Sequence, residues 1–230
     1  LLGKTLIHRV WEAASSVPLF DEVVFAIDSE ETAEAITKFG GKSVMTSFDC
    51  KSGTDRLIEI AKKGNVKADI WVNWQGDEPF VKEEMIEQLL QSCDKDIEKG
   101  DVGIWTLKRR LDNEEDVQSP NIAKLVCDID GCAMYQSRSP IPFYRDKSIP
   151  FSEREYYQHI GIYAFTTDVL LKIGKLGVCF LEDAEALEHI RFVYNGLKMK
   201  VHETSHKVVG IDTPEDLLLA EKMLRDKGMV

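Results

Sequence analysis

The stretch that decides the fold is Ile70-Trp71-Val72-Asn73-Trp74-Gln75-Gly76-Asp77-Glu78-Pro79. It reads as a buried strand that stops abruptly. Val72 and Trp74 alternate with Asn73 and Gln75, Gly76 admits backbone angles that other residues resist, and Pro79 ends any hydrogen-bonded ladder. The strand is expected to run to Asp77, so that Asp77 and Glu78 stand at its C-terminal end. In an open parallel sheet that end is where ligands bind. A carboxylate there suits a hard cation such as Mg²⁺, held through oxygen. Taken alone, an Asp-Glu pair is better read as a solvated acidic turn, so the metal reading depends on the rest of the chain.

On the N-terminal side, residues 5–15 read as a helix with Leu6, Ile7, Val10 and Ala14 on one face. Val23 to Ile27 is an apolar strand, and Ser29 caps a helix whose first turn carries Glu30 and Glu31. Val44-Met45 is a short strand and Gly53 to Lys63 a helix. On the C-terminal side, Glu83 to Cys93 is helical, with Met85, Ile86, Leu89 and Leu90 inward. This alternation predicts an α/β fold with a parallel sheet and right-handed crossovers. After residue 100 strands dominate: 102–107, 123–127 and 132–136, with Asp128-Ile129-Asp130-Gly131 as a hairpin turn. Tyr156 to Phe165 is a strand with Tyr157, His159, Gly161 and Tyr163 on one side. Residues 183–195 read as one helix and 198–202 as a strand. Thr213 caps a last helix with Pro214 at its first position.

The 230 residues suffice for a full core. A hydrophobic content of 43% with 30% charged residues is that of a soluble globular protein. A net charge of −11 argues against a broad phosphate-binding surface and so against nucleic acid. No apolar run approaches the roughly 18 residues of a membrane span. Five cysteines without a CxxC pair point to reduced thiols and a cytoplasmic setting.

Six constellations stand out. Ser52-Gly53-Thr54-Asp55-Arg56 opens a helix and presents backbone N–H groups and hydroxyls at its positive end. The central stretch is the second. Arg138 and Arg145 flank a proline-stiffened loop, and Arg suits bidentate contact with carboxylate or phosphate. His159 and Tyr163 share a strand face, and Leu181 to Arg191 is an acidic helix start. Gly210-Ile211-Asp212-Thr213-Pro214 repeats the logic of the central stretch, a strand end followed by a capped helix. Asp77 and Asp212 come from two such ends and could meet over one cation.

In order and spacing these stretches resemble the 3-deoxy-manno-octulosonate (Kdo) cytidylyltransferase family. The motifs are Met45-Thr46 with Ser52 to Arg56; Asn73-x-Gln75-Gly76-Asp77-Glu78-Pro79; Ser137-Arg138-x-x-Ile141-Pro142-x-x-Arg145-Asp146; His159-Ile160-Gly161-Ile162-Tyr163; Leu187-Glu188-x-x-Arg191; and Gly210-x-Asp212-Thr213-Pro214-Glu215-Asp216-Leu217. The resemblance implies a single domain over 1–230. It is a Rossmann-like nucleotidyltransferase sheet, mostly parallel, with helices on both faces and a β-rich dimerisation insertion at about 100–146. It implies transfer of CMP from CTP to the anomeric hydroxyl of Kdo in a homodimer, for lipopolysaccharide synthesis, with Asp77 and Asp212 holding Mg²⁺. Gln75, Arg138, Arg145, His159, Tyr163 and Glu188 are carried over as sugar-acid contacts. Ser52, Gly53 and Arg56 are carried over as nucleotide contacts.

Two departures matter. The family opens with a strand and a loop of the form PAR-x-x-S-x-R-x-PGKPL that holds the triphosphate. That pattern is absent here, about 25 of its residues are expected ahead of Leu1, and Gly3-Lys4 is not its Gly-Lys. The family usually carries Glu-Gln where this chain has Glu188-His189, which bears on the choice of sugar. The alternatives are a cytidylyltransferase for an 8-amino or sialic-acid-like sugar, and a truncated, non-catalytic binding module.

Overall fold

The structure is a computed structural model that describes residues 1–208, 210, 211 and 213–226. In chain order the elements are α1 (Leu6–Ser15), β1 (Phe25–Ile27), α2 (Glu30–Thr37), β2 (Ser43–Met45), α3 (Gly53–Lys63), β3 (Ile70–Asn73), α4 (Glu83–Leu90), α5 (Cys93–Lys99) and β4 (Ile104–Arg110). Then follow α6 (Glu114–Gln118), β5 (Lys124–Cys127), β6 (Ala133–Ser137), β7 (Tyr157–Thr166), α7 (Thr167–Ile173), α8 (Phe180–Glu185), α9 (Ile190–Tyr194), β8 (Met199–Glu203) and α10 (Pro214–Asp226). The fold is α/β, as the alternation predicts. Two compact units are distinguishable: residues 1–67, 73–87 and 207–230, and residues 68–72 and 88–206.

In the first unit β1 and β2 pair in parallel, Ala26 opposite Val44. Thr5 caps α1, accepting the His8 N–H, and the helix buries Val10 and Ala14. Trp11, Phe25 and Phe39 cluster with ring centroids 5.9 to 6.4 Å apart. The boundaries of α3 follow from its ends. Ser52 caps it, and Gly64 closes it in the left-handed conformation (φ +69°) behind Lys62 and Lys63, which complement the helix dipole.

The second unit carries a six-stranded sheet in the order β6-β5-β7-β4-β8, with β3 also paired to β7. β4 is its buried spine: Ile104, Trp105, Thr106 and Leu107 have no exposed surface. Burial of such apolar side chains contributes about 1.5–3 kcal/mol each. β8 runs parallel to β4, whereas β7 runs antiparallel to it and β5–β6 is an antiparallel hairpin. Gly131 closes that hairpin at φ +73°, where a left-handed residue is required. Trp105 Nε1 donates to Asp96 Oδ2 at 2.9 Å. Ser92 Oγ donates to the same oxygen at 2.6 Å and lies 2.8 Å from His202 Nε2. The serine stands between the histidine and the carboxylate, so Asp96 does not orient an imidazole base, and the trio is structural.

Three expectations are corrected. β3 ends at Asn73 rather than at Asp77, and burial falls on Trp71 and Asn73. The helix expected over 83–93 is two helices, α4 and α5. The helix expected over 183–195 is also two, broken at Ala186, which takes a left-handed conformation (φ 50°, ψ 48°).

Candidate active site

In the first unit the site is built where the start of α3 meets the end of β3. Ser52 is extended (φ −146°, ψ 165°) and its Oγ accepts the Asp55 N–H at 3.2 Å. Gly53 follows, and a Cβ there would lie 2.9 Å from Asn73 Oδ1, 3.0 Å from Gln75 Nε2 and 3.2 Å from Asn73 Nδ2. This close approach lets buried Asn73 donate to Thr54 Oγ1 at 3.4 Å and accept from Gln75 Nε2 at 3.1 Å. The amide of Gln75 is thereby oriented by the first turn of α3. Asn73 and Thr54 were not assigned a role from sequence. The signal available was polar side chains within a buried strand and a helix start.

Beyond Asn73 the chain turns: the Glu78 N–H donates to the Gln75 carbonyl at 3.3 Å, and Trp74 Nε1 donates to the Glu78 carbonyl at 2.8 Å. Gly76 does not need its glycine for conformation. Its φ lies outside the left-handed region and a Cβ there would meet open space, against the sequence reading. Asp77, partly buried, accepts the Ile211 N–H on its backbone carbonyl at 3.0 Å. Two chain segments far apart in sequence are thus tied at the position before Asp212. Asp212 itself lies outside the described residues. Arg56 is drawn into the scaffold: Nη2 donates to Asp28 Oδ2 and Nη1 to Thr46 Oγ1, both at 2.6 Å. It braces α3 against the ends of β1 and β2.

In the second unit a β-bulge makes the site. Thr106 pairs with Tyr163 but the next residue, Leu107, pairs with Ile160, so β7 carries two extra residues. On a regular strand residues four apart are separated by about 13 Å; here the His159 and Tyr163 rings are 5.2 Å apart. The two were expected to share a face, and the bulge brings them into contact. His159 Nε2 lies 2.9 Å from the Tyr163 hydroxyl and 3.0 Å from Thr106 Oγ1. The Thr106 hydroxyl donates to the Ile162 carbonyl at 2.9 Å, which leaves Oγ1 as acceptor for an Nε2–H. Thr106 was missed from sequence, since the bulge depends on a long-range pairing. His189 stacks on Tyr163 with centroids 3.8 Å apart.

The charged residues nearby are committed differently from one another. The Arg138 guanidinium donates to the carbonyls of Glu185 (2.6 Å), Pro120 (2.9 Å) and Ala186 (3.2 Å), capping the end of α8. The Glu185 carboxylate accepts from Ser137 Oγ at 2.6 Å and the Arg138 N–H at 2.8 Å. Burial alone would raise its pKa, but these hydrogen bonds outweigh it and hold the group below the usual carboxylate range. Glu188 pairs with Arg191 Nη2 at 2.6 Å, and Arg145 is exposed.

Burial pushes the His159 imidazole down to about 3. The unfolded chain therefore binds this proton more readily, near pH 6.5, and stability falls as pH drops from there toward 3. Between pH 7 and pH 5 this group should cost about 2 kcal/mol. Urea melts at the two pH values should show a loss smaller by about that amount in His159→Gln than in the natural chain. Equal losses would contradict the assignment.

The chain matches the family model described as cytidylyltransferase over residues 1–201. The 3-deoxy-manno-octulosonate cytidylyltransferase of Thermodesulfovibrio yellowstonii is 42% identical over 232 residues, covering 97% of this chain and 89% of that protein. That of Pelobacter propionicus is 39% identical over 230 residues, covering 97% and 88%. Among solved structures, a CMP:2-keto-3-deoxy-manno-octonic acid synthetase complexed with CTP superposes with a TM-score of 0.90 at 35% identity, covering 99% of this chain and 90% of that one. A 4-diphosphocytidyl-2C-methyl-D-erythritol synthase from Anaerococcus prevotii has a TM-score of 0.60 at 15% identity, covering 97% and 87%, and shares the fold alone.

Proposed function

This chain belongs to the cytidylyltransferase family, and from that premise we propose that it transfers CMP from CTP to the anomeric hydroxyl of Kdo. The sugar oxygen forms a bond to the α-phosphorus, the bond to the β-phosphate oxygen breaks, and pyrophosphate leaves. The observation that carries the reading is the likeness, at 35% identity over 99% of the chain, to a synthetase solved with CTP.

Both units of the chain carry candidate contacts. In the first, Ser52 and Gly53 offer the opening turn of α3 to the nucleotide, and Arg56 keeps that turn in place. Gly76, which neither conformation nor packing requires to be glycine, leaves room for close approach of a ligand. Gln75, held by Asn73, contacts the sugar acid. In the second, His159 and Tyr163 hydrogen-bond sugar hydroxyls without adding charge, since burial keeps the imidazole neutral. Glu188 accepts from a hydroxyl, and exposed Arg145 suits the sugar carboxylate. Arg138 acts as a positioning residue, fixing the backbone at Glu185 and Ala186 ahead of Glu188.

Among the described residues no group of three or more His, Cys, Asp or Glu side chains is arranged to hold a metal. Mg²⁺ asks for less: one or two carboxylates, with phosphate oxygens and waters filling the remaining positions. Asp77 beside a segment leading to Asp212 fits that demand, and these two residues would hold the ion. When bound, it offsets the repulsion between an anionic sugar and an anionic phosphate and lowers the pKa of the attacking hydroxyl.

We place the reaction in the cytoplasm, the setting that suits five unpaired thiols. A homodimer is supported by the exposed apolar Ile129, Met134 and Phe143 within residues 100–146. The test is pyrophosphate release from CTP and Mg²⁺ with Kdo, an 8-amino analogue and a sialic acid. Kdo should give a kcat/KM at least about 10-fold above the others. Preference for another sugar, or no release with any, would overturn the proposal.

A further inference from the structure

Beside β6 lies a cavity of about 210 Å³ whose walls include Gln136, His189, Tyr135, Leu181 and Tyr194. Its polar atoms are unbalanced. Gln136 is only 2% exposed, yet neither its Oε1 nor its Nε2 has a hydrogen-bond partner among the described residues, and the same holds for the buried Nδ1 of His189. Buried polar groups are otherwise almost always paired, and an unpaired amide is costly enough that a leucine would pack there more favourably. Both residues line the cavity, and unpaired polar groups buried in its wall fit a site built for a polar ligand. His189 also stacks on Tyr163, whose hydroxyl meets His159, so the cavity and the sugar-side cluster share a residue.

We propose that Gln136 and His189 form a polar subsite for the hydroxyl-bearing tail of the sugar acid, which makes Gln136 a specificity-determining residue of the transfer. The inference rests on the function proposed above and deepens it. A hydroxyl both donates and accepts, and the Gln136 amide offers one acceptor and two donors. Two neighbouring hydroxyls would engage all three unpaired atoms. Among the described residues no carboxylate lines the cavity, and His189 is held neutral by burial first, then by neighbouring His159 and Arg191. An ammonium group would find no counter-charge there, so a hydroxyl is preferred to an amine.

The test compares the natural chain with Gln136→Leu. Calorimetry with the octulosonic acid, its 8-deoxy analogue and its 8-amino analogue is run alongside kcat/KM for CMP transfer, melting and sizing. The natural chain should bind the parent sugar about 10-fold or more tightly than either analogue. Gln136→Leu should erase that discrimination while melting at the same or a higher temperature. Equal binding of parent and 8-deoxy sugars by the natural chain, or equal weakening of both in the variant, overturns the subsite. So does a variant that changes its mass in solution with discrimination intact. Transfer without discrimination sinks the subsite alone; neither binding nor transfer with any sugar acid sinks the proposed function together with it.

Discussion

Asp77→Asn should lower kcat/KM for CMP transfer about 10³-fold while leaving the fold intact. The substitution keeps the size of the side chain and removes its charge. The hydrogen bond from the Ile211 N–H to the Asp77 carbonyl at 3.0 Å is made by the backbone and survives. A transition state that gathers charge on phosphate oxygens then loses one of the two carboxylates proposed to fix its cation, a loss of about 4 kcal/mol. Pyrophosphate release at saturating Mg²⁺, with a thermal melt on the same sample, checks both halves. A variant that turns over normally and still depends on magnesium would refute the role.

Gly53→Ala should cost about 10²-fold in kcat/KM. The added methyl would stand 2.9 Å from Asn73 Oδ1 and 3.0 Å from Gln75 Nε2. Asn73 is buried and bonded to Thr54, so the contact is relieved by moving the Gln75 amide and the first turn of α3 apart. That shift displaces a proposed sugar contact and a proposed nucleotide contact together, and misplacement by about 1 Å is enough for a loss of this size. Gly76→Ala is the control for the backbone: with open space and an ordinary φ it should melt within about 0.5 kcal/mol of the natural chain. A Gly53→Ala enzyme of full activity would mean that the Asn73–Gln75 contact does not position substrate.

The parts legible in the sequence are those fixed by local chemistry. α3 begins and ends where Ser52 and Gly64 say it should, and the hairpin closes at Gly131, because caps and left-handed glycines act within a few residues. The illegible parts depend on pairing across the chain. Nothing near His159 announces that β7 bulges against Thr106, because register is set by β4, more than 50 residues away. The break at Ala186 is likewise hidden: the residue is a good helix former, and it is Arg138, from another strand's end, that takes up the carbonyls released there. β3 was read four residues too long because polar Asn73 and Gln75 alternate as a strand would, while their side chains bond to each other and to α3. The motifs singled out Gln75, which the structure ties to Asn73, and His159 and Tyr163, which it brings into contact. They did not distinguish exposed Arg145 from Arg56 and Arg138, whose guanidinium groups are already engaged by the protein.

The claim on which the account turns is that the end of the central strand holds a divalent ion. Titrating Mn²⁺ into the chain with CTP, followed by electron paramagnetic resonance, reads that ion without requiring turnover. The account predicts that the natural chain binds Mn²⁺ in the presence of nucleotide and that Asp77→Asn, folded to the same extent, weakens this binding by at least about 10-fold. Equal binding by both proteins would contradict it.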